Sequence, residues 1–172
     1  TSITALARRA RAVAPVLARA STDLKDAALL AAADRLEADA GDLLAANADD
    51  VARGEADGMA TGFLDRLRLD PDRIASMASG LRQVAGLPDP VGRVTADWVR
   101  PNGLHFTKVR VPLGVVAIIY ENRPNVTSDA FGLCLKAGNV AFLRGSSGAL
   151  ASNLAVAASI RAALVEVGLP AD

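Results

Sequence analysis

Cysteine is almost missing from this 172-residue chain. The single thiol, Cys134, permits no internal disulfide and no thiolate zinc cluster, which excludes an extracellular disulfide-stapled domain and fits a reducing, cytoplasmic setting. Aromatic residues are scarce at 3%, so the apolar content is mostly alanine, valine and leucine. A surplus of either charge is also lacking. Nineteen Lys+Arg balance nineteen Asp+Glu, so nothing draws the chain onto a phosphate backbone or an anionic membrane surface, and neither nucleic acid nor membrane is an expected partner. No apolar run is expected to reach a membrane span, since even Val111 to Tyr120 stops at Glu121 and Arg123. What is present is a hydrophobic fraction of 51% against 22% charged residues, which excludes a disordered chain and suits one soluble domain, or one and a fraction. No internal repeat or low-complexity segment is evident.

The first twenty residues hold Arg8, Arg9, Arg11 and Arg19 and no acid, a pattern shared by organellar transit peptides and by basic amphipathic helices. Ile3, Leu6, Ala10, Val13 and Leu17 form one helical stripe, which favours a helix packed on a core. Ser21 or Thr22 can cap a second helix through Leu24, Ala27, Ala28, Ala31 and Leu36. Gly41 separates it from a third, Asp42 to about Arg53, that Gly54 and Gly58 end. Asp70-Pro71 opens another, with Ile74, Met77, Leu81 and Val84 on one face until Gly86.

From Val91 the period falls to two. Val94, Ala96 and Trp98 alternate with Thr95, Asp97 and Val99, Asn102-Gly103 supplies left-handed turn residues, and Leu104 to Val111 returns extended, which predicts a β-hairpin. Charge changes at Pro112: 30 of the 38 charged side chains precede it, as solvated helices followed by a buried sheet layer would require. A buried strand Val115 to Tyr120, a helix from about Val126 to Ala137, a buried strand Val140 to Leu143 and a long helix from about Ala149 to Val167 read as βαβα on a parallel sheet. The expected fold is therefore α/β. Three regions are expected: helical 1–90, the hairpin 91–111, and βαβα 112–172.

In such a sheet ligands bind where strands run into helices, on one edge. The two turns are Glu121-Asn122-Arg123-Pro124-Asn125 and Arg144-Gly145-Ser146-Ser147-Gly148. Each puts an arginine beside a helix N-terminus, where unpaired N–H groups already favour an anion, so a phosphorylated ligand is expected. Neither the Rossmann glycine fingerprint nor a P-loop is present. The plain alternatives are that Ser147 and Asn125 are helix caps and Arg144 a surface charge. His105 reads as an ordinary strand histidine, Trp98 as packing, Cys134 as a small core hydrophobe, and Asp49, Asp50, Glu55 and Asp57 as a solvated helix end.

The runs Val111 to Val116, Ile119 to Thr127 (Ile-Tyr-Glu-Asn-Arg-Pro-Asn-Val-Thr), Leu133 to Asn139 and Leu143 to Ser147 resemble the γ-glutamyl phosphate reductase family of the aldehyde dehydrogenase superfamily. Ala45-Ala46-Asn47 and Leu64-Asp65-Arg66-Leu67 resemble it too. The resemblance implies a Rossmann-like, incomplete aldehyde-dehydrogenase-like fold. It also implies reduction of γ-glutamyl phosphate by NADPH to glutamate-5-semialdehyde and phosphate, in proline biosynthesis, through a cysteine thiolate that displaces phosphate before hydride transfer. Family members are much longer and carry that thiol in a later domain, so Cys134 is not it. The resemblance therefore implies an N-terminal part with no catalytic residue of its own and no turnover when alone. The end of the chain, Gly168 to Asp172 just after a helix, favours a fragment over a complete non-catalytic nucleotide-binding or association module.

Residue by residue, the resemblance implies oxyanion or substrate contacts from Arg123 or Asn125 and cofactor contacts from Arg144, Gly145, Ser146 and Ser147; no metal is implied. The family's Gly-Gly-Ser-Glu after the arginine is here Gly145-Ser146-Ser147-Gly148. Arg144 matches a ribose-side lysine, and Ser147 a glutamate that repels a 2′-phosphate in NAD-dependent relatives, so NADPH is expected over NADH. The hairpin 91–111 matches an oligomerisation arm, which implies a homo-oligomer.

Overall fold

A computed structural model describes residues 2–171; Thr1, in the arginine-rich stretch, and Asp172, at the chain end, lie outside the described residues. Five helices come first: α1 (Ile3–Ala18), α2 (Thr22–Ala38), α3 (Ala40–Ala56), α4 (Thr61–Leu67) and α5 (Pro71–Ala85). The starts of α1, α2 and α5 follow the side chains that can accept from a free first-turn N–H. The Ser2 hydroxyl accepts from Ala5 N at 3.2 Å, Ser21 from Leu24 N at 3.2 Å, and the Asp70 carboxylate from Arg73 N at 2.7 Å, with Pro71 opening α5.

Several boundaries differ from the sequence reading. Gly41 lies inside α3, and the break falls at Asp39. Gly54 is also interior to α3. A Cβ there would sit 3.1 Å from the Leu64 and Met59 side chains, so this glycine admits α4, while Gly58, at φ +70°, makes the stop. At seven residues, α4 is too short to leave a periodic signal. Along α1 the buried residues are Ala10, Ala14 and Leu17, whereas Ile3 and Leu6 are exposed.

The core lies where α2 packs on α5 and α7, and α3 on α7. Leu29, Leu36, Leu43, Ile74, Leu81 and Val156 are almost fully excluded from water. Each such side chain contributes about 1.5–3 kcal/mol relative to exposure. Two lysines are buried beside them. Lys25 pairs with Asp89 and donates to Lys136 O at 3.3 Å, while Lys136 pairs with Asp26 and donates to Ala85 O at 2.7 Å. Burial raises the Asp89 carboxyl, but hydrogen bonds from Lys25, Val91 N and Thr22 outweigh it and hold the group below its ordinary value.

β1 (Val94–Val99) and β2 (His105–Val109) form an antiparallel hairpin. Its turn is not the two-residue kind expected. Gly103 N donates to Arg100 O and Arg100 N to Leu104 O, both at 2.9 Å, and Gly103 alone takes a positive φ of +84°. This is a three-residue loop with its bulge at the glycine. Every residue of both strands is exposed; Trp98 stacks on Phe106 at 5.5 Å yet stays 45% exposed.

β3 (Val115–Ile119), α6 (Asn125–Lys136), β4 (Val140–Arg144) and α7 (Leu150–Glu166) follow, with a 3₁₀ turn Ser147–Ala149 before α7. β3 and β4 pair in parallel, from Val115 opposite Val140 to Ile119 opposite Arg144. The expectation of two fully buried strands is not met. β3 alternates between exposed and half-buried, with Ile119 78% exposed, and only Val140 of β4 is buried. A two-stranded sheet with helices on part of its surface cannot cover both faces. The helical stretch Ser147–Glu166, by contrast, is long and apolar enough in composition to cross a membrane, which corrects the expectation that no run is. It packs as a core helix, with Val156, Ile160 and Ala163 buried against α2 and α3.

Candidate functional site

The parallel pairing of β3 and β4 sets the two strand-to-helix turns side by side. Tyr120 N donates to Arg144 O at 3.1 Å, and the Ser146 hydroxyl donates to the Asn122 side-chain oxygen. Two glycines permit this closeness. A Cβ at Gly148 would stand 3.0 Å from Asn122 Oδ1, and one at Gly145 only 2.2 Å from Asn153 Nδ2 and 3.2 Å from the Tyr120 ring. Beneath the turns, Thr127 Oγ1 donates to Asn153 Oδ1 at 3.2 Å and bonds to Tyr120 OH at 2.7 Å. Thr127 has one proton to give, so Tyr120 is the donor in the second bond. Burial pushes the Tyr120 hydroxyl pKa up, against a smaller lowering by that bond. Asn153 Nδ2 is buried without a partner.

Arg123 and Arg144 are both exposed, and neither side chain makes a hydrogen bond or ion pair with another described residue. Asn125 is not the cap of α6: Pro124 occupies that position, and Asn125 Nδ2 donates to Asp129 Oδ2 at 3.0 Å. Ser147 is not a cap either, since it lies within the 3₁₀ turn.

The cap of α7 comes from a distant helix. The Asp50 carboxylate, wholly buried, accepts from Ser152 N and Ser152 Oγ at 2.7 Å and from Ala151 N at 3.3 Å, and pairs with Arg53. Asp50 is therefore no part of a solvated helix end. Asn47, one turn earlier, donates to Leu67 O at 2.8 Å and Ser152 Oγ at 3.0 Å and accepts from Leu69 N at 2.7 Å. Sequence reasoning missed this joint, although Leu43, Asn47, Asp50 and Gly54 are spaced 4, 3 and 4 apart on one helical face. Two polar residues on a buried face were the signal.

The first turn also borders a crevice of about 470 Å³ between α4, α5 and the start of α6. Arg123 and Asn125 line it together with Asp65, Arg66, Arg68, Arg73 and Asp129; no residue of the second turn does. Gly145 instead lines a separate cleft with Tyr120 and Asn153. The two sets of site residues are thus adjacent, on neighbouring surfaces. Cys134 is buried, which pushes its thiol pKa up and keeps it protonated, and His105 pairs with Asp97 on the exposed hairpin. Among the described residues no group of three His, Cys, Asp or Glu is placed to hold a metal ion.

Comparison with known proteins gives the turns a context. The chain is 53% identical over 165 residues to the γ-glutamyl phosphate reductase of Brucella anthropi, covering 96% of this chain and 39% of that protein. The chain corresponds to the N-terminal part of γ-glutamyl phosphate reductases. It spans about two fifths of the length of the curated relatives it matches. The crystal structure of γ-glutamyl phosphate reductase from Thermotoga maritima superposes with a TM-score of 0.92 at 42% identity, over 96% of this chain and 40% of that one. A probable aldehyde dehydrogenase from Listeria monocytogenes, at a TM-score of 0.67 and 20% identity over 94% of this chain and 33% of that one, shares the fold alone. No family model matches the chain.

Proposed function

We propose that this chain is the cofactor-side portion of an enzyme that reduces γ-glutamyl phosphate to glutamate-5-semialdehyde and phosphate, in cytoplasmic proline biosynthesis. The observation that carries this reading is the direct bonding of the two turns, Tyr120 to Arg144 and Ser146 to Asn122, in a chain so similar to the reductases. Arg123 and Asn125 would meet the substrate and Arg144, Gly145 and Ser147 the nucleotide; Ser146 ties the turns together. The regions 1–90 and 112–172 form one Rossmann-like unit in this reading, and 91–111 is an arm that pairs with a second copy.

The donor set suits a phosphorylated nucleotide. Arg144 is a forked, unpaired cation, and Gly145 keeps the backbone clear of side-chain bulk beside it. NADPH supplies the hydride. Ser147 is neutral where a carboxylate would repel a 2′-phosphate by up to about 4 kcal/mol at 4 Å and a dielectric of 20, reduced by solvent to about 1–2 kcal/mol. NADPH is therefore expected to exceed NADH about tenfold in kcat/KM, and Ser147→Glu to narrow or reverse that preference.

The test is a chimaera that joins this chain to the remaining three fifths of the Brucella anthropi reductase. Phosphate-dependent reduction of NADP⁺ by glutamate-5-semialdehyde is expected from the chimaera and not from the 172-residue chain alone. A folded but inactive chimaera, or turnover by the chain alone, refutes the reading.

A further inference from the structure

The buried polar joint on α3 reaches both surfaces of the candidate site from behind. Asn47 is almost fully buried, and Asp50 and Ser152 are wholly excluded from water. Both protons of the Asn47 amide are spent, one on Leu67 O at 2.8 Å and one on Ser152 Oγ at 3.0 Å, and its oxygen accepts from Leu69 N at 2.7 Å. These bonds grip the linker between α4 and α5 on either side of Arg68. Arg73 holds the same linker by donating to Arg68 O at 2.6 Å. Arg68 and Leu69 line one crevice with Arg123 and Asn125 of the first turn.

The other end of the joint is the start of α7. Ser152 Oγ has one proton, which goes to Asp50 at 2.7 Å, so it accepts from Asn47 and the run of bonds has one direction. Asp50 also takes Ala151 N and Ser152 N. Those two N–H groups are closed to a phosphate, and what the second turn can offer one is Arg144 and its own backbone. In so dry a joint a lost partner leaves its mate unpaired, so neither end can shift far without cost. We propose that Asn47 is a positioning residue for both surfaces: it sets the 67–69 linker beside the first turn and, through Ser152, the start of α7 behind the second. This rests on the function proposed above, in which the first turn meets the substrate and the second the nucleotide. An amide that only filled space in α3 would supply stability alone. One that places two surfaces is felt in binding at each.

Kinetics of the chimaera test this, in the phosphate-dependent reduction of NADP⁺ by glutamate-5-semialdehyde. Asn47→Ala is expected to raise the KM for both NADP⁺ and the semialdehyde about fivefold and to leave kcat within about twofold, as lost placement without lost chemistry requires. Ser152→Ala cuts the bond to α7 and spares those to Leu67 and Leu69, so it should raise the KM for NADP⁺ alone. It also keeps the proposal open to refutation where Asn47→Ala fails to fold. Leu36→Ala, wholly buried in α2 and lining neither surface, is the control for lost stability and should move neither KM. KM values that stay put in Asn47→Ala, that rise together or not at all in Ser152→Ala, or that rise as much in Leu36→Ala overturn the proposal. The 172-residue chain separates this from the function itself. By NMR, Asn47→Ala should shift the amides of Arg68 and Arg73 as well as those of Ser147 and Leu150, and Ser152→Ala only the second pair. An inactive wild-type chimaera with these shifts sinks the function and keeps the placement, whereas an active one whose KM values move otherwise does the reverse.

Discussion

The helices of this chain bury their apolar faces against one another, while its strands leave much of theirs open. Leu29, Leu36 and Val156 are shut from water, whereas Ile119, Val99, Val94 and Trp98 are 78%, 64%, 51% and 45% exposed. The difference follows from hydrogen bonding. A helix satisfies its backbone internally and needs only a partner for one stripe; a strand needs a neighbour on each edge and a layer on each face. The helical body is thus self-sufficient in covering its apolar faces, and the hairpin and the β3–β4 pair are the surfaces left open.

The strongest test of that self-sufficiency is Asp50→Ala. It strips the α7 N-terminus of its buried acceptor and should cost about 3 kcal/mol in urea denaturation. A loss below about 1 kcal/mol would mean that water replaces the carboxylate and that the body is less tightly closed than it looks. Gly145→Ala should come next, at about 2 kcal/mol, because its Cβ would meet Asn153 at 2.2 Å. Gly62→Ala, with nothing within 4 Å, should be neutral or slightly stabilising in the same assay.

A paired substitution sharpens the contrast directly. Cys134→Ala, in the buried face of α6, should cost about 1–2 kcal/mol, while Trp98→Ala, on the hairpin, should shift global stability by less than about 0.5 kcal/mol. Amides from 94 to 109 should exchange fast in dilute chain and slow at high concentration if the arm finds a second copy; rates independent of concentration would remove the arm from association. A further effect is expected from acid. The Asp89 carboxyl sits below its ordinary value in the folded chain, so its contribution is present above the unfolded value of about 3.9 and fades as pH falls through the folded one. Melting curves should show the advantage of wild type over Asp89→Asn shrinking from pH 6 towards pH 2.5; an advantage that grows in acid would reverse the assigned sign.

Much of the fold was readable in the order of residues. Ser21, Asp70-Pro71, Gly138 and Gly168 mark helix ends by local chemistry that needs no partner, and the two apolar runs around Asn125 to Lys136 could belong only to a βαβ unit. The adjacency of the two turns was readable, because the topology of such a unit brings them to one edge before any side chain is placed. Three things were not. Asp50 and Ser152 lie 102 residues apart, and no local period announces that one caps the other. Lys25 and Lys136 look like ordinary surface cations until Asp89 and Asp26 are folded against them. Burial of β3 looked certain from its composition, yet an apolar strand is covered only where other layers stand over it.

Sequence by itself therefore determined where helices start and stop, where the period changes, and that two arginines would stand at neighbouring helix starts, since capping, turn and periodicity effects act over a few bonds. The tertiary structure alone decided which polar groups were buried with partners, that Arg123 and Asp129 would line one crevice with Asp65 and Arg73, and which apolar strands remained uncovered. Those outcomes depend on electrostatics and contacts between segments brought together only by packing, and their energies appear nowhere in the local pattern.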